Sequence, residues 1–548
     1  MAAARPAGSL DRRARCLPPP PGRPGFGGAR PRVAVIGGGI AGLTAATALA
    51  ERSVAVTLYE REPELGGRLA GWHTVLGDGS PATMTRGFHA FFRQYYNLRA
   101  LLRRIDPELG MLTPLPDYPL LHAGGARETF RGLPLTPPWN ALAFAARSPS
   151  FDARGLAGLR ARAALPLLGV RTPDVYRRLD HVSAQDFLDA IGFPPAARAL
   201  AFEVFSRSFF ADPRQLSAAE MVLMFHIYFL GSREGLLFDV VNRPFPQALW
   251  HPLARRLTAR GVRLRLGEAV TSVTSAKPGG GVSVAAGGRP PQRYDAVVLA
   301  LDTAGLRDLV AASPALCDAA WRARVAALRT APPFVVSRLW LDAPVAPHRP
   351  AFCGTSGFGG LDNISVLDRY EDEAAAWASR QGGSVVELHA YAVGPGAAPR
   401  AVRDALLAQL RRAWPETGRA RVRDERHLWR DDCPLFAVGG FAGRPAVRTP
   451  DPAVVVAGDL VRTGFPVALM ERAATTGFLA ANALLARWGV RGHPLWFVPN
   501  GGRSAILRAL ARLGSEPALS RETRPARATR TAAPRTPDRR ATAVPPLT

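Results

Sequence analysis

A strand, a glycine turn and a helix in immediate succession constrain this chain more than any other feature. The run Val33-Ala34-Val35-Ile36 is apolar throughout, as a parallel strand buried on both faces must be. It leads into Gly37-Gly38-Gly39-Ile40-Ala41-Gly42, and a helix of small residues follows, Leu43 to Arg52. In such a G-x-G-x-x-G turn the first glycine permits the tight turn and the second lets a pyrophosphate approach the backbone. The third lets helix and strand pack closely. Here those positions are Gly37, Gly39 and Gly42, with Ala41 among the free N–H groups that open the helix and carry its partial positive charge. A second strand, Val54 to Tyr59, ends in Glu60, eighteen positions past Gly42, where a carboxylate meets ribose hydroxyls. The expectation is an α/β, Rossmann-type dinucleotide-binding domain. Glu60 would repel a 2′-phosphate, which disfavours NADP and leaves NAD and FAD.

Two further pieces decide between them. Arg61-Glu62-Pro63-Glu64-Leu65-Gly66-Gly67-Arg68 resembles the second signature of FAD-dependent amine oxidases and carotenoid desaturases. The resemblance implies cofactor contacts from Arg61, Gly67 and Arg68; the glycines admit a close approach and the arginine supplies a fork of donors. Far along the chain, the apolar strand Ala453 to Ala457 is followed by Gly458-Asp459, and a helix begins at Met470-Glu471-Arg472. In proteins of this type the carboxylate corresponding to Asp459 lies near the ribityl and phosphate region, and the helix aims its positive end at the pyrimidine side of the flavin. The segment Val262 to Val273 resembles the part whose backbone meets the adenine, at Val270. FAD is the expected cofactor. Gly279-Gly280-Gly281 precedes a strand and reads as a hairpin turn, so no second dinucleotide site for NAD(P)H is expected.

Length and composition bound the rest. A chain of 548 residues has room for two or three domains with well-buried cores. Its net charge is +26, yet its basic residues are arginine except for Lys277, the bias of a GC-rich coding sequence. No nucleic-acid-binding motif accompanies the charge, so no nucleic-acid partner is expected. Arginines also gather in the tails, Arg12, Arg13 and Arg15 at one end and Arg521 to Arg540 at the other, where they suit anionic lipid head groups. Cys16, Cys317, Cys353 and Cys433 lack any C-x-x-C spacing, and no H-E-x-x-H occurs. Neither a metal site nor a disulfide framework is expected, and a reducing cytoplasm is the default. The first thirty residues lack the apolar core of a secretory signal. The longest apolar run, Met221 to Leu230, is too short to span a bilayer. The expected location is cytoplasmic, peripheral to the inner face of the cell membrane.

The cofactor pieces fall at 31–115, 250–310 and 435–490, so the FAD-binding domain is expected to be assembled from separated segments. The chain between them, 116–249 and 311–434, forms a substrate domain of mixed sheet and helices. Its first part reads as helical, over Ala184 to Ile191 and Arg198 to Phe210; its second contains strands such as Phe334 to Leu341 and Ser384 to Tyr391. A helical extension is expected at 491–515. Residues 1–30 and 516–548, rich in proline, arginine and threonine, read as disordered basic tails.

The substrate side is marked by Arg86-Gly87-Phe88-His89-Ala90-Phe91-Phe92-Arg93-Gln94-Tyr95-Tyr96-Asn97-Leu98-Arg99. This segment resembles one found in carotene desaturases and, in detail, in the actinobacterial carotene aromatases known as carotene φ-ring or isorenieratene synthases. Segments Phe209 to Ala218 and Gly382 to His389 are similar to others of that group. Many desaturases carry an acid where Arg86 stands, so none is assumed at the flavin. The resemblance, over about residues 31–490, implies conversion of the β-rings of β-carotene to aromatic φ-rings. Each ring loses four hydrogens in two two-electron oxidations while one geminal methyl migrates. Such a site must exclude water and offer π-faces to a cation, which suits Phe88, Phe91, Phe92, Tyr95 and Tyr96. His89 is the candidate proton acceptor, since neutral imidazole is a base near pH 7. A quinone or oxygen would reoxidise the flavin. The alternatives are a linear-polyene desaturase or isomerase, a non-catalytic prenyl-lipid carrier of the same architecture, and an amine oxidase.

Overall fold

The structure, a computed structural model, describes residues 5–151, 155, 157–194, 197–198, 209–275, 280–394 and 396–513. The buried β-branched runs form the middle of a five-stranded parallel sheet. Its order is Arg263–Leu266, Ala55–Glu60, Arg32–Ile36, Ala296–Leu299 and Val454–Val456, so stretches far apart in sequence supply one layer. Val35 lies between Leu58 and Val298, and Val298 in turn pairs with Val455. Strands covered on both faces need no polar alternation, which explains the unbroken Val, Ile and Leu runs. Every residue of the Ile40–Ala50 helix is buried. Its small side chains let it pack closely against helix Leu469–Arg487.

A seven-stranded sheet forms the second layer, in the order Val422–Arg430, Phe334–Leu341, Ser384–Ala390, Asn363–Val366, Phe352–Ser356, Leu120–His122 and Arg127–Glu128. All its pairs are antiparallel except Phe352–Ser356 with Leu120–His122. Helices Trp139–Arg147, Asp174–Leu179, Ala184–Ala190 and Ala218–Phe225 accompany it. The third of these starts where the Ser183 hydroxyl accepts the Asp186 N–H at 3.0 Å, satisfying one of the helix's free donors. The apolar run Met221 to Leu230 is core, and among the described residues no helix is long and apolar enough to cross a membrane. The architecture is α/β with a second, mixed domain. The helix expected over Arg198 to Phe210 lies largely outside the described residues.

Two expectations change. Strand Phe238–Val241 pairs with Phe91–Phe92 and Leu112–Leu115, and Phe245, Leu249 and Trp250 enter the core of the nucleotide domain. Residues 238–249, expected in the substrate domain, thus also pair and pack with the segment 31–115. The N-terminal segment, expected to be a disordered tail, is anchored to the fold at several points, with Pro6, Ser9 and Asp11 buried. Arg15–Leu17 pairs with Leu495–Phe497. The Ser9 hydroxyl donates to Glu234 at 2.5 Å, and the Tyr96 hydroxyl donates to Asp11 at 3.2 Å. Asp11 is wholly buried and bonded to Arg503, 492 positions away, a match that composition has no means of registering. Within the 491–515 extension the described residues include that second strand and the helix Ala505–Leu513. The tail expected over 516–548 lies outside the described residues.

Removing one partner of a buried ion pair strands the other charge, at a cost of about 3–5 kcal/mol. Asp11→Ala is expected to lower the melting temperature by at least about 3 °C. An unchanged melting curve would show that the N-terminal segment is no part of the folded unit.

Candidate functional site

A cavity of ≈ 1300 Å³ begins at the glycine turn and continues into the mixed domain. Pockets for one small ligand usually hold roughly 300–1,000 Å³, so this one accommodates a large cofactor and part of a second molecule.

At its nucleotide end, Gly37 leaves the strand at φ +107°, and a Cβ there would lie 2.3 Å from the Ala300 carbonyl oxygen. A Cβ on Gly42 would stand 1.9 Å from the Gly37 carbonyl. Gly42 therefore serves helix packing from behind, whereas a Cβ on Gly39 would meet nothing closer than 3.9 Å and would project into the cradle. That open cradle beside a helix start fits a pyrophosphate. Glu60 is held at the wall by two backbone donors, the Gly38 N–H at 2.6 Å and the Glu62 N–H at 3.0 Å. The Gly66 N–H donates to the Gly38 carbonyl at 2.9 Å, which brings the second glycine pair against the first. Of the residues expected to bind the cofactor, Gly37, Gly39, Ala41, Glu60, Arg61, Gly67, Arg68, Val270, Gly458, Asp459 and Met470 line the cavity. Arg61 stands exposed at the rim, 3.2 Å from Glu62 and 3.9 Å from Asp302.

Arg68 and Asp459 meet each other: the guanidinium donates to Asp459 Oδ1 at 2.5 Å. Burial disfavours the charge on Arg68, and the carboxylate beside it more than reverses the effect. Helix Leu469–Arg487 starts with Leu469 at φ +51°, a strained conformation for leucine, beside the cavity. Past Met470, the side chains of Glu471 and Arg472 carried no individual expectation from sequence. Glu471 accepts the Asn97 and Leu98 N–H groups, each at 2.9 Å, and so caps helix Tyr96–Leu102. Burial pushes its carboxyl up to about 8 against the pull of those donors. Arg472 donates to Glu220 at 2.7 Å, and Glu220 also accepts from Arg444 at 2.5 Å and from the Tyr176 hydroxyl at 2.9 Å. Burial favours a neutral Glu220, but the two guanidinium groups hold it at about 2.

The far end is aromatic. Phe88 stacks on Phe352 with ring centres 4.0 Å apart, Tyr118 lies 4.7 Å from Phe352, and Phe92 lies 4.6 Å from Tyr228. From the aromatic segment, Phe88, Phe92 and Tyr95 line the cavity, while Phe91 and Tyr96 are buried and are not part of its lining. Tyr118, Phe130, Phe238 and Phe352 add walls from distant segments and carried no local signal, and Phe210 adds another from the segment Phe209 to Ala218. Arg86 is paired with Asp432 at 2.6 Å, so an acid does stand here, neutralised. His89 faces the cavity with Nδ1 2.8 Å from the Gly87 carbonyl, which makes Nδ1 the protonated nitrogen and leaves the Nε2 lone pair available. Burial lowers its pKa to about 4, so the ring is neutral. His389 and Tyr391 also face the cavity; the alternation Glu387-x-His389-x-Tyr391 in an otherwise apolar strand was the signal for them. Among the described residues no His, Cys, Asp and Glu cluster could hold a metal ion.

Comparison with known proteins agrees with this geometry. The model of the family "Flavin containing amine oxidoreductase" matches residues 40–485. A carotenoid phi-ring synthase of Streptomyces griseus is 65% identical over 92% of this chain and 97% of its own length. A second protein of that name, from Chlorobaculum tepidum, is 30% identical over 86% of this chain and 91% of its own. Among solved structures, putrescine oxidase with putrescine bound superposes with a TM-score of 0.62 at 16% identity, covering 84% of this chain and 100% of that one. Cyclohexylamine oxidase of Brevibacterium oxydans gives 0.60 at 18%, with 84% and 100% covered. The glycine cradle, the Glu60 wall and these likenesses together make the chain an FAD-dependent oxidoreductase that belongs to the flavin containing amine oxidoreductase family and, within it, to the group of the carotenoid phi-ring synthases.

Proposed function

We propose that this chain converts the β-rings of β-carotene to aromatic φ-rings. The observation that carries the reading is one cavity that runs from the dinucleotide cradle into an aromatic chamber. The residues present suit FAD: the cradle at Gly39 takes the pyrophosphate, Glu60 the ribose hydroxyls and the Val270 backbone the adenine. Arg68 and Asp459, with Gly458 and Met470, serve the flavin side. When bound, FAD supplies the two-electron acceptor that each of the two ring oxidations requires. The chamber governs the fate of the oxidised ring. Hydride loss beside the quaternary ring carbon leaves a cation, which a 1,2-methyl shift relieves. The faces of Phe88, Phe238 and Phe352 stabilise that cation, and their bulk keeps away the water that would trap it.

A lipid-dissolved substrate requires access from the membrane, and we infer peripheral docking at the cytoplasmic face. In helix Ala505–Leu513, Ile506 (74% exposed) and Leu510 (40%) stand four apart on one face. Trp139 and Leu142, three apart on helix Trp139–Arg147, are likewise exposed. Pairs of exposed apolar side chains with arginines alongside suit a bilayer surface.

Expressed where β-carotene is made, the protein should yield a carotenoid with trimethylphenyl ends, by way of a half-converted intermediate. Four hydrogens should be lost per ring with no carbon gained or lost. Unchanged β-carotene alongside desaturated ζ-carotene would establish a linear desaturase instead. Glu60→Ala should weaken FAD retention on dilution, since charge-assisted bonds of about 1.5–3 kcal/mol each are lost before solvent compensates. Full flavin occupancy in that variant would remove Glu60 from the cofactor site. The double variant Ile506→Ser, Leu510→Ser should reduce sedimentation with liposomes at least about tenfold, at high salt as well as low, because each buried apolar side chain is worth roughly 1.5–3 kcal/mol. Undiminished binding would place the docking surface elsewhere.

A further inference from the structure

Glu387, His389 and Tyr391 stand two positions apart along one strand and its exit, and so share a face. They are bonded in a row. Glu387 Oε1 lies 2.9 Å from His389 Nε2, and His389 Nδ1 lies 2.7 Å from the Tyr391 hydroxyl. Behind them Arg338, opposite Glu387 on the neighbouring strand, donates to Glu387 Oε2 at 2.8 and 3.0 Å. In front, His389 and Tyr391 face the aromatic chamber, and Asn363 Nδ2 donates to the Tyr391 oxygen at 3.0 Å.

Charge fixes the protons. Burial raises the Glu387 pKa, but Arg338 and His389 hold it at about 2, so it is a carboxylate. A carboxylate at 2.9 Å requires His389 Nε2 to be the donor. The Phe88 N–H, 3.3 Å from the same nitrogen, makes the weaker contact and yields to it. In the neutral ring Nδ1 is then the unprotonated acceptor for the Tyr391 O–H. A proton that reaches Tyr391 Oη can be exchanged for the tyrosine's own, which moves to Nδ1. The imidazolium so formed rests on the Glu387 carboxylate. Tyrosinate, which burial strongly disfavours here, never forms. His89 lacks such support: its Nδ1 is bonded to a carbonyl, and among the described residues no carboxylate is hydrogen-bonded to its ring.

We propose that Tyr391, His389 and Glu387 form a relay that removes the proton from the rearranged ring, with Tyr391 as the catalytic residue and Glu387 as a positioning residue. The proposal rests on the aromatisation reading. After the methyl shift, the carbon that received the methyl keeps one hydrogen and its neighbour carries the cation. That C–H bond breaks, its electron pair becomes the ring double bond, and the proton passes to Tyr391 Oη as the tyrosine's proton passes to His389 Nδ1. No electrons leave the ring in this step, so it needs no oxidant. His389 returns its proton through Tyr391 to water once product has left.

Tyr391→Phe removes one hydroxyl and keeps the ring. The variant should retain FAD fully and keep KM for β-carotene within about threefold, while kcat for arene formation falls at least about 100-fold. A purely structural role would move flavin retention and KM instead, and would overturn the relay. Wild-type aromatisation in Tyr391→Phe overturns it too, as does a reaction abolished by His89→Gln and untouched by Tyr391→Phe. Without any variant, nitrogen NMR of the histidine-labelled holoenzyme should find His389 protonated at Nε2 alone; protonation at Nδ1 in the resting protein would leave no acceptor and refute the relay. Unaltered protein that holds FAD yet leaves β-carotene unaromatised overturns the functional reading, and the relay's role with it, whatever the histidine signal.

Discussion

Two consecutive side chains at the start of helix Leu469–Arg487 hold the molecule in register. Arg472 reaches Glu220 on a helix of the second domain, and also the carbonyls of Val467 and Asp459. Glu471 turns the other way and caps helix Tyr96–Leu102, from which the aromatic segment leads back to the chamber. Buried ions lose so much hydration that a pair adds little net stability over apolar packing. Its force lies in what it forbids. A shift of either helix would strand Glu220 between unmatched partners, or leave Arg472 without its carboxylate, and each such arrangement is penalised far more than the native one gains. Because Asp459 both receives Arg472 at its carbonyl and holds Arg68 at its carboxylate, the same constraint passes to the cofactor wall.

What was legible in the sequence is what lies in short stretches of chain. Gly37, Gly39 and Glu60 lie in turns and strand ends that local spacing dictates, and all three line the cavity. Arg68 and Asp459 were each legible, but their union was not, because 391 positions separate them. The same limit applies to the chamber. Phe88 could be read from its neighbours, whereas Phe352, which stacks on it, comes from a strand of the other sheet. The N-terminal segment failed for a related reason. Its prolines and arginines describe an average residue, while its packing depends on Asp11 and Ser9, two small polar groups with partners at Arg503 and Glu234.

The solved structures that superpose on this chain at 16–18% identity share its frame, and a frame alone does not choose a substrate. Choice falls to the chamber lining, which here is divided by kind. Stacked rings from the Phe88 segment and the Phe352 strand supply apolar faces. Hydrogen-bonded polar groups, from Arg338 through Glu387 and His389 to Tyr391, approach from the two adjoining strands Phe334–Leu341 and Ser384–Ala390. The division follows from strand geometry. Side chains two apart share a face, so one strand can carry a row of polar groups into a cavity while the residues between them, Leu388 and Ala390, pack into the core behind. Such a row is expensive to bury unless each member is paired, and the buried guanidinium of Arg338 closes it at the end remote from the cavity with bonds to Glu387, the Thr83 carbonyl and the Thr85 hydroxyl. At the other end of the row the Tyr391 hydroxyl meets the chamber. The fold thus brings one hydrogen-bonded polar row to the chamber on a strand face, beside walls of stacked rings.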